Sequence, residues 1–314
     1  MRHHSRLKCR YHARLTNIAV PDHGIGISHS RTVMNGLPAR AKIGLASATI
    51  ISLAARRAGA LSPDGALAAT GVGAAVVAGL GIRGGTMLVA FFTSSTLLGR
   101  ILTPVRLDQQ RGRERDAVQV VANGGVAAVL ALLSSWTQIP NRSLLVAGFG
   151  GAVATATADT WATEIGSRSR ARPRSIRTLR LTRVGASGGV TVVGLMASAV
   201  GAALIAGMAP RPFAPVSRQP STHAIAIALG GFIGALVDSL LGAIVQEVRF
   251  CDGCAVETEE RIHHCGAQSR PLRGVPWCDN DVVNGLATAA GATASILLLV
   301  AMPARRQRRR PIHN

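Results

Sequence analysis

The sequence predicts an all-α, polytopic transmembrane helix bundle of about seven or eight spans. Three observations carry that prediction. Stretches without Asp, Glu, Lys or Arg recur at 43–55, 65–82, 84–99, 117–141, 143–158, 189–209, 223–237 and 282–304. The charge falls between them: the formal net charge is +20, and the 35 basic residues, of which only Lys8 and Lys42 are lysine, cluster almost wholly in the intervening segments. Composition is the third: 48% of the 314 residues are hydrophobic but only 3% aromatic, and the Ala- and Gly-rich remainder suits helices that pack closely in lipid. A nucleic-acid-binding domain would spread its charges through the fold and interleave aromatics with them. Five cysteines in a chain of this length do not describe a disulfide scaffold.

Taken in order, residues 1–40 are basic and His-rich without an apolar core segment, so they form no signal peptide and are expected to be disordered, with Met34 as an alternative start. The short run 43–55 reads as a span whose Lys42 and Arg56 snorkel. A hydrocarbon core of roughly 30 Å needs about 20 helical residues, which the runs starting at 117, 189 and 282 supply unaided. The run at 143 reaches that length only by including Asp159 and Glu164, and the run at 223 only by including Asp238. The membrane domain thus covers 41–304, with a Cys- and His-rich loop at 248–281 and a basic tail at 305–314.

Small residues mark which faces meet. Gly230, Gly234, Asp238 and Gly242 recur every four residues, and so do Gly150, Ala154 and Ala158, with Thr155, Asp159 and Thr163 on the adjoining ridge. The acids therefore lie beside helix contacts and away from lipid. Arg crowds the loops 100–116, 166–188 and 248–281, while the alternate loops carry only Arg142, or Arg211 and Arg218. The positive-inside rule then makes the large loops of a cell-membrane protein cytoplasmic. The tail from Arg305 to Arg310 opposes this unless the last segment is broken or re-entrant.

The segment ADTWATEIG, 158–166, is the strongest local signal, because an acid at mid-bilayer normally faces a polar cavity or a partner; the bland reading is an interfacial helix end. Asp159 and Glu164 stand about 140° apart around a helix, so they share one ion only if the helix ends between them. Arg115, Gln119 and Asn123 run down one face toward the membrane, where a phosphate would meet cation and then amides; positive-inside anchoring with an interhelical amide bond explains them equally. Ser187, Gly188 and Gly189, in GASGG, are a Gly-rich turn of the kind that offers N–H groups to anions. Cys251, Cys254, His264 and Cys265 form a Zn ligand set, with His263 or Cys278 as substitutes and free thiols as the alternative. Asn280 is positioned as an N-cap, whereas Asn284 sits a turn inside the last apolar run.

The residues ANGG (122–125), ADTWATEIG (158–166), GASGGV (185–190), DSLLGA (238–243), the Cys-x-x-Cys to HHCG stretch and NDVVN (280–284) resemble, in unbroken order over about 43–300, an integral-membrane family. That family includes animal transmembrane protein 19, uncharacterised bacterial and archaeal members and the plant phytyl-phosphate kinase. The resemblance implies a multi-pass protein that transfers a phosphoryl group from a nucleoside triphosphate to an isoprenyl monophosphate. It implies Asn123, Asp159, Glu164, Asp238 and Asn284 as site residues, with the three acids holding Mg²⁺, and Arg113 and Arg115 as phosphate contacts. This chain departs from the family in its near lack of Lys, so any Lys role falls to Arg, and its first 40 residues match nothing. The alternative is a transporter or flippase using the same acids for a proton or cation. The expected partners are the lipid bilayer, the isoprenyl phosphate and the nucleotide, with no nucleic acid; the sequence carries no sign of oligomeric state.

Overall fold

Polar side chains decide where the chain enters the bundle. The computed structural model describes residues 28–102, 114–136, 141–209 and 220–302, and among them are eight helices: α1 (Ser28–Arg57), α2 (Pro63–Leu80), α3 (Ile82–Leu102), α4 (Ala117–Leu133), α5 (Arg142–Gly166), α6 (Val192–Met208), α7 (Pro220–Ile244) and α8 (Asn280–Ala301). Side-chain oxygens cap the even-numbered helices: Ser62 accepts from Gly65 N–H, Asp116 from Gln119, Thr191 from Gly194, and Asp279 from Asp281 and Val282. The last of these caps is Asp279, one residue before the position read from the sequence, because its backbone is extended while Asn280 is already helical.

All four capped starts lie at one end, and the loops between them meet there. Arg115 N–H donates to Ala60 O and Ser62 N–H to Arg115 O, Arg100 donates to Ala58 O, and Gly166 packs on Gly194. This is the Arg-rich end. At the other, Gly81 with φ 71° turns α2 into α3, and Leu144 and Ala147 at the start of α5 pack against Leu298, Leu299 and Met302 at the end of α8. Helix α8 is thus unbroken and crosses the bundle once, which removes the re-entrant alternative. Hydropathy marked only where α1 becomes apolar: its helix starts at Ser28, inside the segment expected to be disordered. Residues 1–27, Arg113 and the tail 305–314 lie outside the described residues.

Among the described residues four helices, α2, α3, α7 and α8, are long and apolar enough to cross a membrane, and α4 and α6 are apolar but shorter. The deepest helix is α5, in which every residue from Val146 through Ala158 is buried. It meets α3, α4, α6, α7 and α8. Enclosed by protein, it needs small and hydroxylated side chains more than lipid-facing ones, and its Thr155 and Thr157 return their hydroxyls to Gly151 and Val153 carbonyls. Its own Phe149 and its large apolar neighbours Val76, Met87, Ile205 and Ile227 complete the core.

The loops at the Arg-rich end carry the only regular strands among the described residues. β1 (Arg174–Ser175) pairs antiparallel with β2 (Gly189–Val190). β3 (Val248–Cys251) is flanked by β4 (Val256–Thr258) and β5 (Arg270–Arg273) in an antiparallel sheet of order β4-β3-β5.

Candidate functional site

Helix register brings two of the acids together. Helices α5 and α7 both run toward the Arg-rich end, so they are parallel, and Thr155 of α5 touches Gly234 of α7, where a Cβ would lie 2.2 Å from Thr155 Oγ1. One turn further along each helix stand Asp159 and Asp238. Their carboxyl groups face one another within hydrogen-bonding reach. Two ionised carboxylates are acceptors only, so the pair requires a shared proton or a cation between its oxygens. Asp238 Oδ2 is buried and has no hydrogen-bond partner among the described residues.

The two Arg-rich-end loops roof this pair. Glu259, just beyond β4, accepts from Gln246 Nε2 at 2.8 Å and from Ser187 Oγ at 3.3 Å, and it acts electrostatically on Asp238. Gly188, with φ +78°, lies so close to α7 that a Cβ would stand 2.4 Å from the Ala243 Cβ. Arg273 fastens the seam, donating to Gly242 O, Ala243 O and Ser187 O at 3.1–3.3 Å. The Ala186 and Gly189 amides bond back to Arg183 and Ala186, and Thr191 caps α6. GASGG therefore serves as the close-approach turn against α7. At the start of α8, Asp281 adds a further acid within electrostatic reach of Asp279, Asp116 and Glu259.

Glu164 belongs to a different group. Because α5 continues unbroken to Gly166, Glu164 points away from Asp159 and lies in the electrostatic field of Arg115 and beside Gly99 of α3. Burial pulls the Arg115 guanidinium below its ordinary pKa while Glu164 raises it, and the cation rests over the Phe91 and Phe92 rings at 5.6 and 5.7 Å. Its backbone is pinned by the Ala60 and Ser62 bonds, and its carbonyl leaves room only for glycine at Gly65. Asn123 donates to Gln119 O within its own helix. Asn284 lies one turn before Thr288, whose hydroxyl reaches Ala122 O of α4.

Four soft donors gather on the sheet: Cys251, Cys254, His263 and Cys265 have ligand atoms all within 4.8 Å of one another. Cys251 and Cys265 Sγ are 3.6 Å apart, and His263 Nδ1 is 3.3 Å from Cys265 Sγ. The imidazole in this quartet is the buried His263. His264 is exposed, with its ring centroid 3.9 Å from that of His263, and Cys278 is buried outside the group. The His263 contact, then the Ala267 N–H, lowers the Cys265 thiol to a pKa of about 6. The Cys265 contact, then desolvation, raises Cys254 to about 11.

Sequence reading missed Glu259, Arg273 and Asp281. Glu259 sits in the run ETEER, which has the look of a solvated loop; only its spacing after Cys254 hinted that a folded knuckle carries it.

A family described as "Integral membrane protein DUF92" matches residues 46–292. Protein PGR of Arabidopsis thaliana is 32% identical over 65% of this chain and 77% of its own length. Uncharacterised membrane proteins of Methanocaldococcus jannaschii and Synechocystis are each 26% identical, over 63% and 75% of this chain and 79% and 81% of theirs. No solved structure matches the chain.

Proposed function

The chain belongs to the DUF92 family of integral membrane proteins, and on that premise we propose that it is a phosphotransferase that converts an isoprenyl monophosphate to a diphosphate at the Arg-rich face, which is cytoplasmic. The observation that carries the reading is the Asp159–Asp238 pair, with the buried, unpartnered Asp238 Oδ2, Glu259 in its field, and Asp281 in turn near Glu259. Phosphoryl transfer is largely a matter of positioning and charge neutralisation. A Mg²⁺ bound at the aspartates would neutralise a nucleoside triphosphate there. An oxygen of the isoprenyl phosphate attacks the γ-phosphorus, the bond to the β-phosphate bridging oxygen breaks, and nucleoside diphosphate leaves.

The acceptor needs one apolar and one charged berth. An apolar groove of about 350 Å³ between α5 and α6 is lined by Trp161, Ile165, Val193, Met196, Ala197 and Val200, and Trp161 is fixed by its indole N–H to Ser94 Oγ at 3.2 Å. We assign the isoprenyl chain to it, with its phosphate toward the end of α5. Arg115, in the electrostatic field of Glu164, shapes that end of the site, and Arg113 would add a phosphate contact.

Purified protein incubated with γ-labelled nucleotide, Mg²⁺ and a panel of isoprenyl monophosphates tests the proposal. Labelled diphosphate is the expected product. Its absence with every acceptor and nucleotide, together with cation or lipid flux in proteoliposomes, contradicts the reading in favour of transport.

A further inference from the structure

The quartet on the three-stranded sheet has the spacing of a bound metal. A tetrahedral Zn²⁺ with Zn–S near 2.3 Å and Zn–N near 2.0–2.1 Å places two sulfurs about 3.8 Å apart and sulfur and nitrogen about 3.6 Å apart. The observed Cys251–Cys265 and His263–Cys265 separations are 3.6 and 3.3 Å. A disulfide would need about 2.04 Å between sulfurs. The backbone presents the donors as two turns facing one another. Cys251 ends β3 and Cys254 follows on the turn closed by Ala255 at φ 56°. Opposite it, His263 N–H bonds Ala267 O, and Gly266, at φ +81°, returns its N–H to His263 O, which carries Cys265 back to the sulfurs.

What this knuckle carries gives it a purpose. Between its two halves run Glu257 and Glu259. Glu257 pairs with Arg183 of the 166–188 loop at 2.5 Å, and Glu259 binds Ser187 of that loop and Gln246 at the end of α7. The segment contributes no buried hydrophobic side chain to the core clusters, so it lacks an apolar means of holding its shape. Backbone ties hold it at the β3–β4 ladder and at its stem, through Glu247 N–H to Cys278 O and Val275 N–H to Val245 O.

We propose that Cys251, Cys254, His263 and Cys265 bind one structural Zn²⁺ that braces the 251–265 knuckle and thereby holds Glu259 over the Asp159–Asp238 pair. The site is closed, with four protein donors and no open position, so its role is architectural. It stands independently of the reaction proposed above.

The test uses the full chain purified in detergent without added metal. Elemental analysis is expected to find about one Zn per chain, to find it lost in Cys254→Ser and His263→Ala, and to find it retained in His264→Ala. Cys254 is exposed, so its replacement leaves packing intact. Tryptic cleavage at Arg261 is expected to run about ten-fold faster in the Zn-free variants than in His264→Ala, because loss of the brace lets the knuckle open locally. A chain without Zn, a chain whose Cys251 and Cys265 are joined in a disulfide, or Zn retained in both ligand variants would overturn the proposal. Zn lost without any change in cleavage would overturn the bracing role.

Discussion

Thr155 of α5 and Gly234 of α7 are in direct contact, and that contact sets the register of the whole site. The parallel helices approach here because neither presents a large side chain: Gly230 faces Ser295 and Gly291 of α8, Gly234 faces Thr155, and Gly242 faces Gly188. Asp159 and Asp238 meet one turn below.

Adding a methyl group at that contact should therefore reach the acids. Gly234→Ala is expected to destabilise the bundle by about 1–3 kcal/mol through overpacking, read as a lower melting temperature in detergent. Gly71→Ala is the comparison, since nothing lies within 4 Å of its would-be Cβ; it should not lower the melting temperature. Equal effects of the two would contradict the register argument.

Removing one charge of the pair should separate chemistry from folding. Asp238→Asn keeps the shape and relieves the repulsion between carboxyls, so the folded state is expected to survive while diphosphate formation falls at least about 100-fold. Asp159→Asn should behave alike, and the double variant should be no worse than either single one. Steady-state turnover beside a melting curve checks both halves. Undiminished turnover in either variant removes the pair from the mechanism.

Arg115 and Glu164 form a second, structural unit. Arg115→Ala removes a cation from the field of Glu164 and uncovers the Phe91 and Phe92 faces, with an expected cost of about 1 kcal/mol. Adding Glu164→Gln to Arg115→Ala should recover part of that loss. A double-mutant cycle by thermal unfolding measures the coupling, and strict additivity would show that the two do not interact.

Most of the architecture was legible because it rests on short-range pattern: charge-free runs located the helices, and Gly at every fourth position named the face of α7 that packs. The acid at 238 was legible as a group kept from lipid. Its partner was not, because the match to Asp159 depends on which turn of α5 meets Gly234, a tertiary fact with no sequence period. Glu164 shares a segment with Asp159, yet its place with Arg115 follows from a helix that continues to Gly166. The choice of His263 over His264 required the turn at Gly266, which decides which neighbouring ring points inward. Glu259 was hidden for the same reason, since only a folded knuckle turns a polar loop residue toward the membrane.

The thiols give a pH signature in chelator-treated protein. Cys265 has its pKa lowered to about 6 by His263 first and the Ala267 N–H second, so its reactive thiolate is depleted below pH 6 and fully formed at pH 7–8. Cys254, raised to about 11, stays protonated throughout that window. Alkylation followed by peptide mass spectrometry should show Cys265 labelling that rises through pH 6 and then levels, with Cys254 slow. The reverse order of labelling would contradict the assigned contacts.

Asp159 and Asp238 are the proposed divalent-cation site within the bundle. Titration with Mn²⁺, followed by electron paramagnetic resonance, reads that site. One site that competes with Mg²⁺ is expected in the unaltered protein, lost in both Asp159→Asn and Asp238→Asn. Unchanged Mn²⁺ binding in the two variants would contradict it.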